Sequence, residues 1–281
     1  MDFTIVTPSY NYGRFIRECL ESVAAQSGVT LEHLVIDACS TDETVEVVAR
    51  HPHARISQEP DKGMSDGINK GFRRAKGDWV MWLNADDRLK PGALAEVKHF
   101  ARSHPDADVI YGGWDFIRGN GTTDRRMTLF PFRKRMLLQH GCYIGSTACF
   151  YRRDTTIGQG LLLDDRFHYC MDGEYYARLT SLGKTFHYLP RILADFRLHG
   201  ESLSQRHLQS TGMGDILALQ KQIAEVRAIR RAYGWRFWGI REIEDLADAA
   251  LQIYFRLERS IVKALHRSSA SLPATDESHH E

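Results

Sequence analysis

The chain has 281 residues, 43% hydrophobic and 26% charged, with a formal net charge of +1. That length holds one large globular domain, or one domain plus an appendage, and the apolar content excludes a disordered chain. The near-neutral balance gives no electrostatic case for nucleic acid as a partner.

Residues 3–7, FTIVT, are β-rich and stop at Pro8. Phe15, Cys19, Leu20 and Val23 follow at helical spacing. LEHLVID, residues 31–37, reads as a second strand, and Thr41 or Asp42 then caps a helix carrying Val45, Val47 and Val48. ARISQE is a third, shorter strand. Met64, Ile68, Phe72 and Ala75 stand four, four and three apart, the stripe of another helix. DWVMWLN is the next strand, and PGALAEVKHFARSH the next helix, with Pro91 near its first turn. This alternation to about Pro105 predicts an α/β chain with an open, mostly parallel sheet flanked by helices.

Residues 108–163 are less regular. VIYGGWDFIRGNGTT reads as two short strands around a Gly-Asn-Gly turn. MDGEYYARLTSLGK is helical, and FHYLPRILADFRLHG reads as extended segments broken at Pro190. Beyond about Ser204, Ile216, Leu219, Ile223 and Val226 form one helical stripe, and seven apolar residues from Ile243 to Leu265 form a second. The last residues, 269–281, read as a loose tail. The expected division is a main domain over 1–204, with halves 1–105 and 106–204, then a helical extension over 205–268.

The five cysteines show no CxxC spacing, which argues against a zinc knuckle or a disulfide framework and for reduced thiols in a cytoplasmic chain. The first residues have no basic stretch followed by an apolar run, so no signal peptide is expected. No apolar stretch reaches the ~20 residues of a spanning helix, so the expectation is a soluble or peripheral protein.

In open α/β sheets, ligands bind at the carboxyl ends of the strands. Three polar clusters fall there: TPSYNYG, DACSTD and NADD. Asn84, Asp86 and Asp87 are either a polar turn or donors for Mg²⁺ or Mn²⁺, which favour carboxylate oxygens and keep phosphate and water as further ligands. Asp37 is either a turn residue or an acceptor for a nucleobase or ribose. Asp61 has the same ambiguity. Asp172 and Glu174 are either first-turn charges favoured by the helix dipole or a general base. His199 is a metal ligand or an unligated loop histidine.

The combination is more specific than its parts. TIVTPSYNYGRFIRECLESVAAQS, EHLVIDACSTDETVEVV, EPDKGMSDGINKGFRRAKGDWVMWLNADD and YLPRILADFRLHGESLS occur in this order. Together they resemble glycosyltransferase family 2, the inverting nucleotide-sugar transferases of GT-A fold, over residues 1–204. The resemblance is strongest before Pro91 and patchier over 98–163. It implies that Pro8, Ser9 and Tyr10 border the nucleotide and that Asp37 reads the base. Asp61, Asp66 and Asn69 then belong to the donor pocket. Asn84-Ala85-Asp86 takes the place of the family's DxD, with Asp86 as metal ligand and Asp87 beside it. Asp172 takes the place of the catalytic aspartate, although Met171 stands where the family has Glu; Glu174 is the reserve. Arg197 and His199 match a late loop that closes over diphosphate and metal, His199 as a ligand.

The expected reaction is therefore metal-assisted, inverting transfer from a nucleotide-sugar, UDP-linked by preference, to a hydroxyl of a glycan or lipid-linked acceptor. A cell-surface polysaccharide or lipid-linked oligosaccharide is the expected destination. Two rival readings are a catalytically silent binding or scaffold protein on the same fold, and a nucleotidyltransferase, which would release pyrophosphate. The C-terminal helices are read as packing on the catalytic domain or pairing copies of the chain. Alternatively, RRAYGWRFWG touches the inner face of a membrane.

Overall fold

The computed structural model describes residues 1–200, 213–234 and Ser260. The whole second apolar stripe, the Trp-rich residues 235–239 and the 269–281 tail lie outside the described residues. The elements in chain order are β1 (Phe3–Ser9), α1 (Gly13–Ala24), β2 (Leu31–Asp37), α2 (Thr44–Ala49), β3 (Ala54–Gln58), α3 (Met64–Arg74), β4 (Trp79–Trp82) and β5 (Arg88–Leu89). Then follow α4 (Ala93–Ser103), β6 (Val109–Arg118), β7 (Thr123–Met127), β8 (Cys149–Arg152), α5 (Met171–Ser181), β9 (Phe186–Leu198) and α6 (Met213–Tyr233). One sheet runs in the order β3-β2-β1-β4-β8-β6-β9-β5, with β7 paired to β6.

The strands β3, β2, β1 and β4 are parallel, and so are β6 and β9. Short β8 runs antiparallel between β4 and β6 and joins the two parallel groups. All seven residues of β1 are buried, as a strand covered on both faces requires. On one face, Ile16, Leu20, Val35, Val47, Val48 and Ala85 form a core under α1 and α2. Removing each large aliphatic side chain of this kind from water contributes about 1.5–3 kcal/mol. On the other face α3 lies so close to β1 that a Cβ on Gly71 would come within 2.2 Å of Val6 Cγ1. Trp82 of β4 stacks on Tyr151 of β8 at 5.5 Å, and Tyr175 of α5 meets the same ring edge-on at 5.3 Å.

Two local readings change. Pro190 does not break the chain: β9 is one 13-residue strand through it. Its pairing with β6 steps from Tyr111↔Tyr188 to Gly113↔Ile192, so residues around Pro190 form a bulge that absorbs the missing N–H. Gly112 and Gly113 admit this bulge, since a Cβ on Gly112 would come within 2.9 Å of the Arg191 carbonyl. On α6, Leu219 and Ile223 of the predicted stripe are 49% and 43% exposed. The covered face is instead Gln222, Glu225, Val226, Ile229, Arg230 and Tyr233, because α6 docks through polar anchors as well as apolar ones. This helix belongs to the same compact unit as residues 1–200, so the unit runs past the 204 boundary.

Candidate active site

Parallel pairing brings the carboxyl ends of β2, β1 and β4 to one edge of the sheet. Ser9 stands opposite Asp37, and Asp37 opposite Gln58. Leu83, just past β4, still donates to the Val6 carbonyl at 2.9 Å. The loops carrying Pro8 to Tyr10, Asp37, Asp61 and Asn84 to Asp87 therefore leave from neighbouring positions.

Asp37 is fully buried. Its Oδ2 accepts the Ser40 N–H at 2.8 Å and its Oδ1 accepts the Ser40 hydroxyl at 2.5 Å, fixing a turn in which Cys39 takes a left-handed backbone at φ 62°. Ser9 is buried with an unpartnered hydroxyl, whereas Tyr10 is 57% exposed at the rim. Asp61 Oδ1 accepts the Gly63 N–H at 2.9 Å, and its Oδ2 would lie 2.9 Å from a Cβ on Gly67, so only glycine lets the carboxylate sit over α3. Asp66 turns instead to its own helix, accepting the Lys62 N–H at 3.1 Å with Lys70 Nζ at 3.3 Å. Burial pushes its carboxyl up, but these two partners hold it below the ordinary value. Asn69 is buried, and both ends of its amide bind the backbone of Leu163 at 2.9 Å. The Asn69 amide is thus taken up by the chain itself, and Asp66 Oδ2 by its own helix.

The second cluster lies beyond β4. Asp86 is 8% exposed, and its Oδ2 accepts from His199 Nε2 at 2.8 Å. The His199 ring is held against Phe15 at 4.5 Å. Asp87 lies deeper, accepting the Arg197 N–H at 2.9 Å. Burial, and then the adjacent Asp86 charge, hold the Asp87 carboxyl well above the usual range. Asn84 donates to Asp87 at 3.4 Å, while its Oδ1 is buried without a partner. Arg197 corrects the sequence reading. It has no exposed surface, and its guanidinium donates to the Asp86 carbonyl at 2.8 Å, the Gly119 carbonyl at 3.0 Å and Glu18 Oε2 at 2.7 Å. It builds the floor beneath Asp86 and cannot also face a diphosphate.

The donor set can be tested for a cation. Among the described residues, no three His, Cys, Asp or Glu side chains gather as an all-protein cage. Asp86 and His199 do offer two donors side by side, next to a carboxyl that burial and a like charge disfavour as an anion. Mg²⁺ and Mn²⁺ sites with substrate phosphates use few protein ligands of this kind. The residues fit such an ion, and the imidazole nitrogen suits Mn²⁺ better than Mg²⁺.

Asp172 lies in the first turn of α5, where its Oδ1 accepts the Gly173 N–H at 2.7 Å. Burial raises its carboxyl to about 6. The entrance to α5 touches the donor side, because Ser65 Oγ lies 3.1 Å from Met171 Sδ. Glu174 is excluded as a reserve base. It is 1% exposed and committed to Arg178 at 2.8 Å and to the Tyr233 hydroxyl at 2.9 Å. Two supporting residues escaped the sequence reading. Ser40 was visible as the hydroxyl three places after Asp37. Glu18, which joins Arg197 to Arg88, carried no local signal.

Residues 4–157 match the model of glycosyl transferase family 2. A Mycobacterium bovis protein named PGL/p-HBAD biosynthesis glycosyltransferase is 28% identical over 257 residues, covering 83% of this chain and 97% of that one. Pasteurella multocida chondroitin synthase is 25% identical over 82% of this chain but only 24% of its own length. Among solved structures, S. aureus TarS 1-349 in complex with UDP-GlcNAc superposes with a TM-score of 0.63 at 19% identity, over 83% of this chain and 73% of that chain. A Pyrobaculum calidifontis mannosyltransferase in complex with GDP-Man and Mn²⁺ gives 0.56 at 16% identity, over 95% and 86%. At those identities the structures speak for the fold, which is GT-A. The family match spans more than half of the chain, and the protein belongs to glycosyl transferase family 2 as a glycosyltransferase.

Proposed function

We propose that this protein transfers a sugar, with inversion, from a nucleoside diphosphate donor to an acceptor hydroxyl, using Asp172 as general base. The observation that carries this reading is the buried Asp86–His199 pair, on the same sheet edge as Ser9 and Asp37. The unpartnered Ser9 hydroxyl and Asn84 carbonyl oxygen are polar atoms that a ligand would satisfy. The turn fixed by Asp37 and Ser40, with exposed Tyr10, forms the nucleoside end. Asp86 and His199 would hold Mn²⁺ or Mg²⁺, which when bound neutralises a diphosphate leaving group as a Lewis acid.

Asp172 removes the acceptor proton as the hydroxyl oxygen attacks the anomeric carbon and the bond to diphosphate breaks on the opposite face. A carboxyl near 6 is ionised at neutral pH and still basic enough to share a proton in the transition state. UDP is the favoured nucleotide, in keeping with the TarS complex, and a glycan or lipid-linked hydroxyl is the favoured acceptor. The mycobacterial and chondroitin synthase relatives support a role in building a glycoconjugate or polysaccharide. All five cysteines are free thiols, which suits the cytoplasm. No described helix is long and apolar enough to cross a membrane.

The test is a thermal-shift panel of UDP, GDP and dTDP with and without Mn²⁺. A Mn²⁺-dependent shift for one diphosphate is the expected result, and no shift with any of them would sink the reading.

A further inference from the structure

The segment entering α5 is held from far away. The backbone N–H groups of His168, Tyr169 and Cys170 all donate to one carboxylate, that of Glu225 on α6, at 2.9, 2.9 and 2.8 Å. Cys170 stands at the capping position just before α5, and it makes no side-chain cap of its own. Glu225 thus supplies from another element what a cap residue supplies locally. A second tie lies further along α5, where Tyr233 of α6 donates to Glu174 at 2.9 Å. Ile229 packs with Leu138 and Ala177, against Phe167, Cys170 and Tyr233. From the opposite side, Ser65 of α3 reaches the Phe167 carbonyl at 3.4 Å and Met171 Sδ at 3.1 Å. Residues 167–171 are therefore clamped between the donor side and α6, and Asp172 is the next residue.

We propose that Glu225 is a positioning residue for sugar transfer: its carboxylate fixes residues 168–170 so that α5 presents Asp172 to the acceptor hydroxyl. The proposal rests on Asp172 being the base. Glu225 touches no reacting atom. It also lies outside the span that matches the family model, as Asp172 does. The chemistry requires a carboxylate. Oε1 serves His168, and Oε2 serves both Tyr169 and Cys170. A glutamine can keep one oxygen in place, but its NH₂ would then point at a remaining N–H donor.

The full-length chain is compared with Glu225→Gln, Glu225→Ala and Asp172→Asn. Turnover is read as nucleoside diphosphate release from whichever of UDP-glucose, UDP-GlcNAc and GDP-mannose the wild type consumes. Loosening a positioned group costs up to about a hundredfold, so Glu225→Ala should lower kcat about 100-fold and Glu225→Gln about tenfold. Diphosphate Kd in Mn²⁺ should move less than about twofold, because donor loops are untouched. Amide exchange at residues 168–170 should quicken in Glu225→Gln. If the alanine variant does not fold, the glutamine variant decides alone. An unchanged kcat in Glu225→Gln overturns the proposal, and so does an equal loss of diphosphate affinity, which would mark a merely structural role. Wild-type turnover in Asp172→Asn would sink the base assignment itself. An inactive Asp172→Asn beside a fully active Glu225→Gln would sink only the role of Glu225.

Discussion

The two halves of the catalytic unit place their functional groups by different means. In the first half, Ser9 and Asp37 sit at the ends of paired parallel strands and Asn84 to Asp87 follow the end of β4, so strand register does most of the placing, with Arg197 and His199 bracing Asp86 and Asp87. In the second half, Asp172 is the second residue of a helix whose entrance has no cap of its own. It is located by Ser65, far upstream, and by α6, far downstream. Groups set by register share the stability of the whole sheet. Groups set by a few long-range hydrogen bonds depend on each bond. Donor binding should therefore be robust to distant change, and the transfer step sensitive to it.

The largest expected effect is on the second half. Asp172→Asn should cut kcat by about 10²–10⁴ while leaving diphosphate binding in place, as measured by turnover beside calorimetric titration. The wild-type kcat should fall on the acid side with a midpoint near the carboxyl's value of about 6. An acid limb well below that would show that Asp172 is not the titrating base.

Next in size is Asp86→Ala. It should reduce Mn²⁺-dependent diphosphate affinity by about 100-fold, the range seen when a metal ligand or its support is lost. Equal loss with Mn²⁺ absent would break the assignment of Asp86 to the cation.

Asn69→Ala crosses the two halves. It leaves the buried N–H and carbonyl of Leu163 without partners, at a cost of about 2–4 kcal/mol of unfolding free energy in denaturant melts. Donor affinity should not follow, because the amide serves the acceptor side. A selective loss of donor binding would blur the division.

The smallest effect has an opposite sign. Asp172 has a folded carboxyl raised to about 6 from 3.8, so its charge opposes folding. That penalty is full above about pH 6 and absent below the unfolded value. Asp172→Asn should thus be more stable than wild type by about 1–3 kcal/mol at pH 8, and no more stable near pH 3.5. Equal melting of the two proteins at pH 8 would show that the pocket hydrates Asp172.

How much of this was legible in the sequence follows the same division. The alternation of FTIVT, LEHLVID and DWVMWLN with helical stripes fixed the parallel edge, because period and capping are local signals. Short β8, at CFYR, was missed because four residues carry no period. Pro190 misled because a bulge opposite Gly112 and Gly113 is a property of two strands, not one. At the site, the sequence put Asp86 just past a strand and Asp172 in the first turn of a helix, where the structure has them. It could not show that Arg197 is spent beneath Asp86, or that Glu174 is tied to Arg178 and Tyr233. The Arg197–Asp86 and Tyr233–Glu174 contacts join residues 111 and 59 apart, whereas Glu174 and Arg178 stand only one helical turn apart.

The long strand β9 has a further consequence. At one end Phe186 stacks on Phe132 at 4.5 Å and meets Tyr176 of α5 at 6.1 Å. At the other end the strand runs directly into His199. The proposed metal ligand and the helix of the proposed base are thus mounted on opposite ends of a single ruler. A slip of one residue would carry His199 about 3.3 Å along it and turn the imidazole to the opposite face. The bulge at Pro190 is the stop that sets the ruler's zero, so an insertion or deletion between residues 186 and 198 should uncouple cation binding from the base while every loop at the site keeps its sequence.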